Sequence, residues 1–188
     1  MLATVPRLHI RKGHIYPLKA VQNLARKDLI LLLIGDGNER ENLVALSNRL
    51  GISGRVRFLG WRNDVNEILD CIDIFVLPSL EEGFPNAIIE AMSKSKPVIA
   101  TDVDGNTEAV IDGYNGIIVP PEDPQSLAEA ILELVHDNEK RIRFGRRSRE
   151  MVEESFDLEK IVEQYEKLYD LLVKPKLKSD GYRILMSL

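Results

Sequence analysis

"IDIFVLPSLEEGFPNAIIEAM", residues 72–92, changes its grammar halfway. Residues 72–79 form an almost continuous apolar run, the pattern of a strand buried on both faces of a parallel sheet. Glu81, Glu82 and Gly83 interrupt it. Pro85 suits the first turn of a helix, so a helix is predicted to begin near Phe84–Asn86. A strand that passes through a glycine loop straight into a helix is half of a parallel βαβ crossover.

The same alternation runs outward in both directions. Apolar runs at 29–37, 55–60, 96–103 and 116–121 read as further strands, and "LATVPRL" (2–8) as a first strand beginning almost at Met1. Between them, 39–51 carries Leu43, Leu46 and Leu50 at helical spacing and ends in glycine. The segment 64–71 offers Asp64 as a cap with Glu67 three positions later. The segment 123–137 opens with Asp123 followed by Pro124. Two more helices are predicted near 138–154 and 157–173. The expected fold is α/β: a doubly wound, Rossmann-like parallel sheet of five or six strands with right-handed crossovers. It occupies residues 1–173. The tail 174–188 fits no periodic element, and its role is open.

Composition narrows the function. The chain has 188 residues, 44% of them hydrophobic, enough for a proper core. A net charge of -5 argues against a general nucleic-acid binder. One cysteine, Cys71, excludes an internal disulfide framework and multi-cysteine metal sites. Three histidines, His9, His14 and His136, stand without ligand spacing. No apolar run approaches the roughly 18 residues that span a bilayer. The N-terminus does not read as a signal peptide. The expected location is the cytoplasm, with the inner membrane face compatible.

In open parallel sheets, ligands bind beyond the carboxyl ends of the strands. There the sequence supplies Arg7 and Lys12-Gly13, Gly35-Asp36-Gly37, Gly60-Trp61-Arg62, the loop 79–86, and "DVDGNTE" (102–108). At the mouth of the helix, the amides of Gly83, Phe84 and Asn86 are expected to point outward, where free N–H groups and the positive dipole end favour anions or hydroxyl oxygens. Gly83 lets a ligand approach the backbone. Glu90, in the second turn, suits paired hydroxyls such as a ribose diol. Glu82 suits a sugar or a leaving phosphate. Each signal has a plainer reading. Glu90 and Glu82 compensate a helix dipole, and Glu81 serves as well as Glu82. Arg7 and Lys12 are solvated, Trp61 packs, and Cys71 caps or packs a helix end. The basic run 140–150, interleaved with glutamates, is a solvated helix face or a patch for anionic lipid.

The joint order of these segments is more specific than any one. "RLHIRKG" (7–13), "LLLIGDGNERENL" (31–43), "VRFLGWRNDV" (56–65), "FVLPSLEEGFPNAIIEAM" (75–92) and residues 96–131 follow one another. This resembles the C-terminal, donor-binding domain of GT-B retaining glycosyltransferases (glycosyltransferase group 1, or family 4), over about residues 2–173. Its most specific part is Glu82-x7-Glu90. The resemblance implies that Arg7 and Lys12 hold the donor diphosphate and act with Glu82 as the catalytic groups. It further implies that Glu90 binds the ribose, that Glu82, Gly83, Phe84, Pro85 and Asn86 meet the donor sugar, and that Trp61 and Arg62 lie where the base is read. "DGNTE" (104–108) matches a Gly-Gly…Glu loop, with Asp104 in place of the first glycine, and Pro6 stands where glycine is frequent.

No cofactor or metal is implied, and no Asp-x-Asp pair stands in the place expected of a metal motif. The partners implied are a nucleotide sugar as donor and an acceptor glycan, lipid or small molecule held by an N-terminal domain outside this chain. The chain is therefore expected to be inactive in isolation. The alternative is a non-catalytic nucleotide-sugar-binding module or a subunit of a split transferase. An NAD-binding domain requires Gly-x-Gly-x-x-Gly after the first strand, where "RLHIRKG" stands instead. A pyridoxal-phosphate phosphorylase finds no motif.

Overall fold

The computed structural model describes residues 1–24, 26, 28–156 and 158–176. Most of the tail 174–188, from residue 177 on, lies outside them. Two compact units are present, Met1–Glu150 and Met151–Leu188.

Among the described residues, one parallel sheet holds six strands. These are β1 (Leu2–Thr4), β2 (Leu31–Ile34), β3 (Val56–Gly60), β4 (Ile74–Leu77), β5 (Val98–Thr101) and β6 (Gly116–Val119). Their order is β3-β2-β1-β4-β5-β6. Crossover helices flank the sheet: α1 (Ile15–Asn23), α2 (Arg40–Arg49), α3 (Val65–Cys71), α4 (Asn86–Ser93), α5 (Asp104–Ala109) and α6 (Pro124–His136). Two helices, α7 (Asn138–Ser155) and α8 (Leu158–Lys176), follow with no strand between them. The doubly wound α/β fold read from the sequence is the fold observed. No helix among the described residues is long and apolar enough to cross a membrane.

The four inner strands are buried at every position, as their continuous apolar runs require. β3 departs from that expectation. It alternates, with Val56 buried and Arg57 exposed, because it is an edge strand. The core lies between sheet and helices and includes Leu31, Leu33, Val76, Ile99, Ile131 and Phe144. Packing of α1 against α6 closes one side.

Local signals were obeyed unevenly. Asp123 caps α6 as its sequence suggests: extended at φ -109°, ψ 91°, it accepts from the amides of Gln125 at 2.9 Å and Ser126 at 3.1 Å. The capping box expected at Asp64 does not form. Asp64 sits at φ -104°, ψ 37°, outside the extended region that aims a cap at the first-turn amides, and makes no capping bond. Its carboxylate takes the guanidinium of Arg62 instead, with Nε to Oδ1 at 2.7 Å. Pro85 also falls one position earlier than expected. It precedes α4 at φ -89°, ψ 67°, an inverse γ-turn closed by the Asn86 amide on the Phe84 carbonyl at 3.1 Å. The Asn86 amide is therefore engaged rather than free. α1 carries Pro17 in its first turn, where a missing N–H costs no helical bond.

Candidate functional site

With strands ordered 3-2-1-4-5-6, the strand order reverses between the parallel neighbours β1 and β4, and the loops leaving these two strands splay apart. A cavity of about 830 Å³ opens there, at the carboxyl edge of the sheet. The loop after β1 supplies Arg7, His9, Arg11 and Lys12 to its wall. The loop after β4 supplies Leu80 to Gly83, and the loop after β5 supplies Asp102 to Asp104.

Backbone bonds fix these loops to one another. The Leu80 amide donates to the Arg11 carbonyl at 2.8 Å, and the Gly105 amide to the Glu82 carbonyl at 3.0 Å. Gly13 ends the turn after Lys12 at φ 63°, and a Cβ there would stand 2.0 Å from the Pro78 carbonyl. Only glycine fits both the conformation and the contact. The Gly35-Asp36-Gly37 turn braces the same region. Leu8 donates to the Asp36 carbonyl at 3.0 Å, and Glu39 donates back to the Leu8 carbonyl at 3.1 Å.

The central polar contact joins the β1 and β4 loops. Lys12 Nζ donates to Glu82 Oε2 at 2.6 Å, and Ser79 Oγ donates to the same oxygen at 3.1 Å. Only 25% of the Lys12 side chain and 11% of the Glu82 side chain are exposed. Arg11 and Glu81 form a looser, exposed pair at 3.4 Å. The adjacent glutamates, interchangeable in sequence, are thus separated by partner and depth. Arg7 is exposed and has no side-chain partner among the described residues. Its carbonyl receives a bond from His14 Nε2 at 3.2 Å. His14 is only 3% exposed, and burial, with the Lys12 charge adding to it, pushes its pKa down to about 4. His14 is therefore a neutral ring with its proton on Nε2, holding the backbone that carries Arg7.

Of the residues singled out in the sequence, the cavity gathers Arg7, Lys12, Glu82 and Gly83. Phe84, Pro85, Asn86 and Glu90 lie beyond its wall, at and along α4. Glu90 is in the second turn of α4, where partial burial pushes its carboxyl above the usual carboxylate range. Trp61 and Arg62 follow β3, two strands from the reversal point. Trp61 is 83% exposed, and the Arg62 guanidinium is engaged by Asp64. His14, Ser79, Asp102 and Asp104 join the site without having been read as ligands. Asp102, Asp104 and Ser79 stood in the loops singled out, whereas His14 did not, and the roles of His14 and Ser79 depend on burial and long-range pairing that no local pattern carries. Among the described residues, no group of three or more His, Cys, Asp or Glu is placed to hold a metal ion.

Comparison with known proteins agrees with this geometry. The family described as "Glycosyl transferases group 1" matches residues 1–151. Lipopolysaccharide core biosynthesis glycosyltransferase LpsE of Rhizobium meliloti is 39% identical over 155 residues, 82% of this chain and 45% of its own length. Among solved structures, Anabaena HepE in complex with UDP superimposes with a TM-score of 0.86 at 28% identity, over 90% of this chain and 48% of that one. The C-terminal domain of the group 1 glycosyl transferase LpcC of Francisella tularensis gives a TM-score of 0.75 at 26% identity, over 84% of this chain and 86% of that domain. The chain spans about half the length of the full relatives it matches. It belongs to the group 1 glycosyltransferase family and has the fold of the C-terminal domain of GT-B enzymes.

Proposed function

We propose that this chain is the donor-binding half of a retaining, metal-independent glycosyltransferase. The observation that carries the reading is the cavity where the strand order reverses, with Arg7 and Lys12 on one loop and Glu82 on another. Arg7 and Lys12 within one cavity suit a diphosphate, since charge-assisted bonds to phosphate oxygens are the strong ones. UDP in HepE supports the same class of ligand. Glu90, partly desolvated in α4, is suited to accept bonds from the ribose hydroxyls. Gly83 to Asn86 meet the sugar, and Trp61 and Arg62 flank the base.

In the reaction, the bond from the anomeric carbon to the diphosphate oxygen breaks, and negative charge gathers on that oxygen. Arg7 and Lys12 stabilise the charge as it forms. Glu82 keeps Lys12 in place and faces the sugar. The acceptor, a glycan, lipid or small molecule, attacks from a second domain of the kind that completes the longer relatives. Its position supplies the part of the barrier that orientation can lower, roughly 7–11 kcal/mol. The single exposed cysteine suits a reducing, cytoplasmic setting.

Calorimetry with UDP, GDP and ADP, each against its nucleoside, tests the reading. One diphosphate should bind with a Kd between roughly micromolar and millimolar. Absence of binding by all three would sink it. A transferase assay on residues 1–188, with and without an N-terminal domain from a relative, should show transfer only with that domain. Binding without transfer in both arms favours a nucleotide-sugar-binding module instead.

A further inference from the structure

Behind the cavity, a chain of hydrogen bonds runs from α5 to Lys12. Asn106, fully buried, donates through Nδ2 to the carbonyl of Thr101 at 3.0 Å and to its Oγ1 at 3.1 Å. The Thr101 hydroxyl donates to the Ser79 carbonyl at 2.5 Å. The Ser79 hydroxyl donates to Glu82 Oε2, the oxygen that also receives Lys12. Thr101 is 3% exposed and Ser79 is fully buried. Neither Thr101 nor Asn106 reaches the cavity wall. The same turn of α5 holds the other side of the loop, because the Gly105 amide bonds the Glu82 carbonyl. A Cβ at Gly105 would lie 2.6 Å from that carbonyl oxygen and 2.8 Å from the Gly83 oxygen, so the two loops are in direct backbone contact.

We propose that Thr101 and Asn106 are positioning residues for diphosphate binding, holding Glu82 Oε2, and through it the Lys12 ammonium, from behind. This rests on the reading of the cavity as a diphosphate site. Each link is directional: a hydroxyl that donates to Ser79 must accept from Asn106, so the amide orients the threonine and the threonine fixes the loop. Glu82 is then tied twice, at its side-chain carboxylate by Ser79 and Lys12 and at its backbone carbonyl by the Gly105 amide. Loss of the Thr101 hydroxyl loosens the 79–82 loop. The Glu82 carboxylate, no longer fixed at the cavity wall, becomes free to turn towards the place of the phosphates and to release Lys12 from its position. Both effects act on the phosphates and neither touches the nucleoside.

The test uses the full 188-residue chain, with whichever of UDP, GDP and ADP binds best and its nucleoside as probes. Thr101→Val keeps the shape and removes the hydroxyl. It should lower affinity for the diphosphate by about two- to thirtyfold, the range for residues that act through others, and leave nucleoside affinity unchanged. Thr101→Ser should restore the diphosphate affinity. In a Glu82→Ala background, Thr101→Val should have no further effect, since the group it positions is gone. Should Thr101→Val fail to fold, Ser79→Ala removes only the last link and carries the same expectations. A loss shared equally by diphosphate and nucleoside, a loss that persists in the Glu82→Ala background, or no loss at all would overturn the proposal. If the unaltered chain binds none of the three diphosphates, the cavity reading fails and takes the proposal with it.

Discussion

Two of the cation–carboxylate pairs on the carboxyl edge of this sheet, Arg62–Asp64 and Lys12–Glu82, behave differently. Arg62 and Asp64 are two residues apart, and their side chains are 45% and 40% exposed. Lys12 and Glu82 are 70 residues apart, and theirs are 25% and 11% exposed, with Ser79 as third partner. The first pair has better geometry, a two-point guanidinium–carboxylate contact. Water screens it, and such pairs contribute little. The second is partly desolvated, so removal of one member strands a charge. Position decides which pair can act on a ligand. The Arg62 pair closes a local turn at the sheet margin, whereas the Lys12 pair joins two loops across the point where strand order reverses.

The largest expected effect concerns the ring beneath Arg7. Folding lowers the His14 pKa from 6.5 to about 4. Between those values the unfolded chain binds the proton more readily than the folded one. Stability is therefore complete above pH 6.5 and falls as pH drops towards 4, by about 3 kcal/mol in all. Urea titrations at several pH values should show that loss, and His14→Gln should flatten it. An equal acid loss in His14→Gln would assign it elsewhere.

Lys12→Ala comes next. It should weaken the diphosphate by about 2 kcal/mol, roughly thirtyfold, as the loss of a charge-assisted contact, and the nucleoside far less. Equal losses in calorimetry would contradict the assignment. Glu90→Ala should cost about 1.5 kcal/mol for diphosphate and nucleoside alike, because the ribose is common to both. An unchanged nucleoside affinity would remove Glu90 from the site. Arg62→Ala marks the other end of the comparison. It should leave the melting temperature and diphosphate affinity nearly as they were, because Asp64 holds the guanidinium and the base is met by the backbone at 61–62; a clear loss of diphosphate affinity would show that the Arg62 side chain itself binds the nucleotide.

Much of the fold was written in short-range patterns. The continuous apolar runs of β2, β4 and β5 name buried strands, because both faces of each strand are covered. Asp123-Pro124 starts α6 because cap and proline need only their nearest neighbours. The same logic misplaced Asp64. A cap pattern specifies residue types but not the backbone angles, and Arg62 offered the carboxylate a nearer partner. α5 spans only six residues, too few for a periodic signal, and it owes its place to the β5 loop and to contact with Glu82–Gly83.

Sequence alone determined the αβ alternation, the loops that leave the strands, and the glutamate–glycine–helix segment at 82–90. It could not choose between Glu81 and Glu82, since the two differ only in what lies opposite. Nor did it mark His14, whose character comes from burial among groups distant in sequence. The tertiary structure decided both by setting β1 beside β4. That adjacency brings Lys12 to Glu82 and gathers Arg7 into the same cavity. Periodicity reports each residue's relation to its own helix or strand, but strand order is settled by how the helices pack, and a site between two strands exists only once that order is fixed.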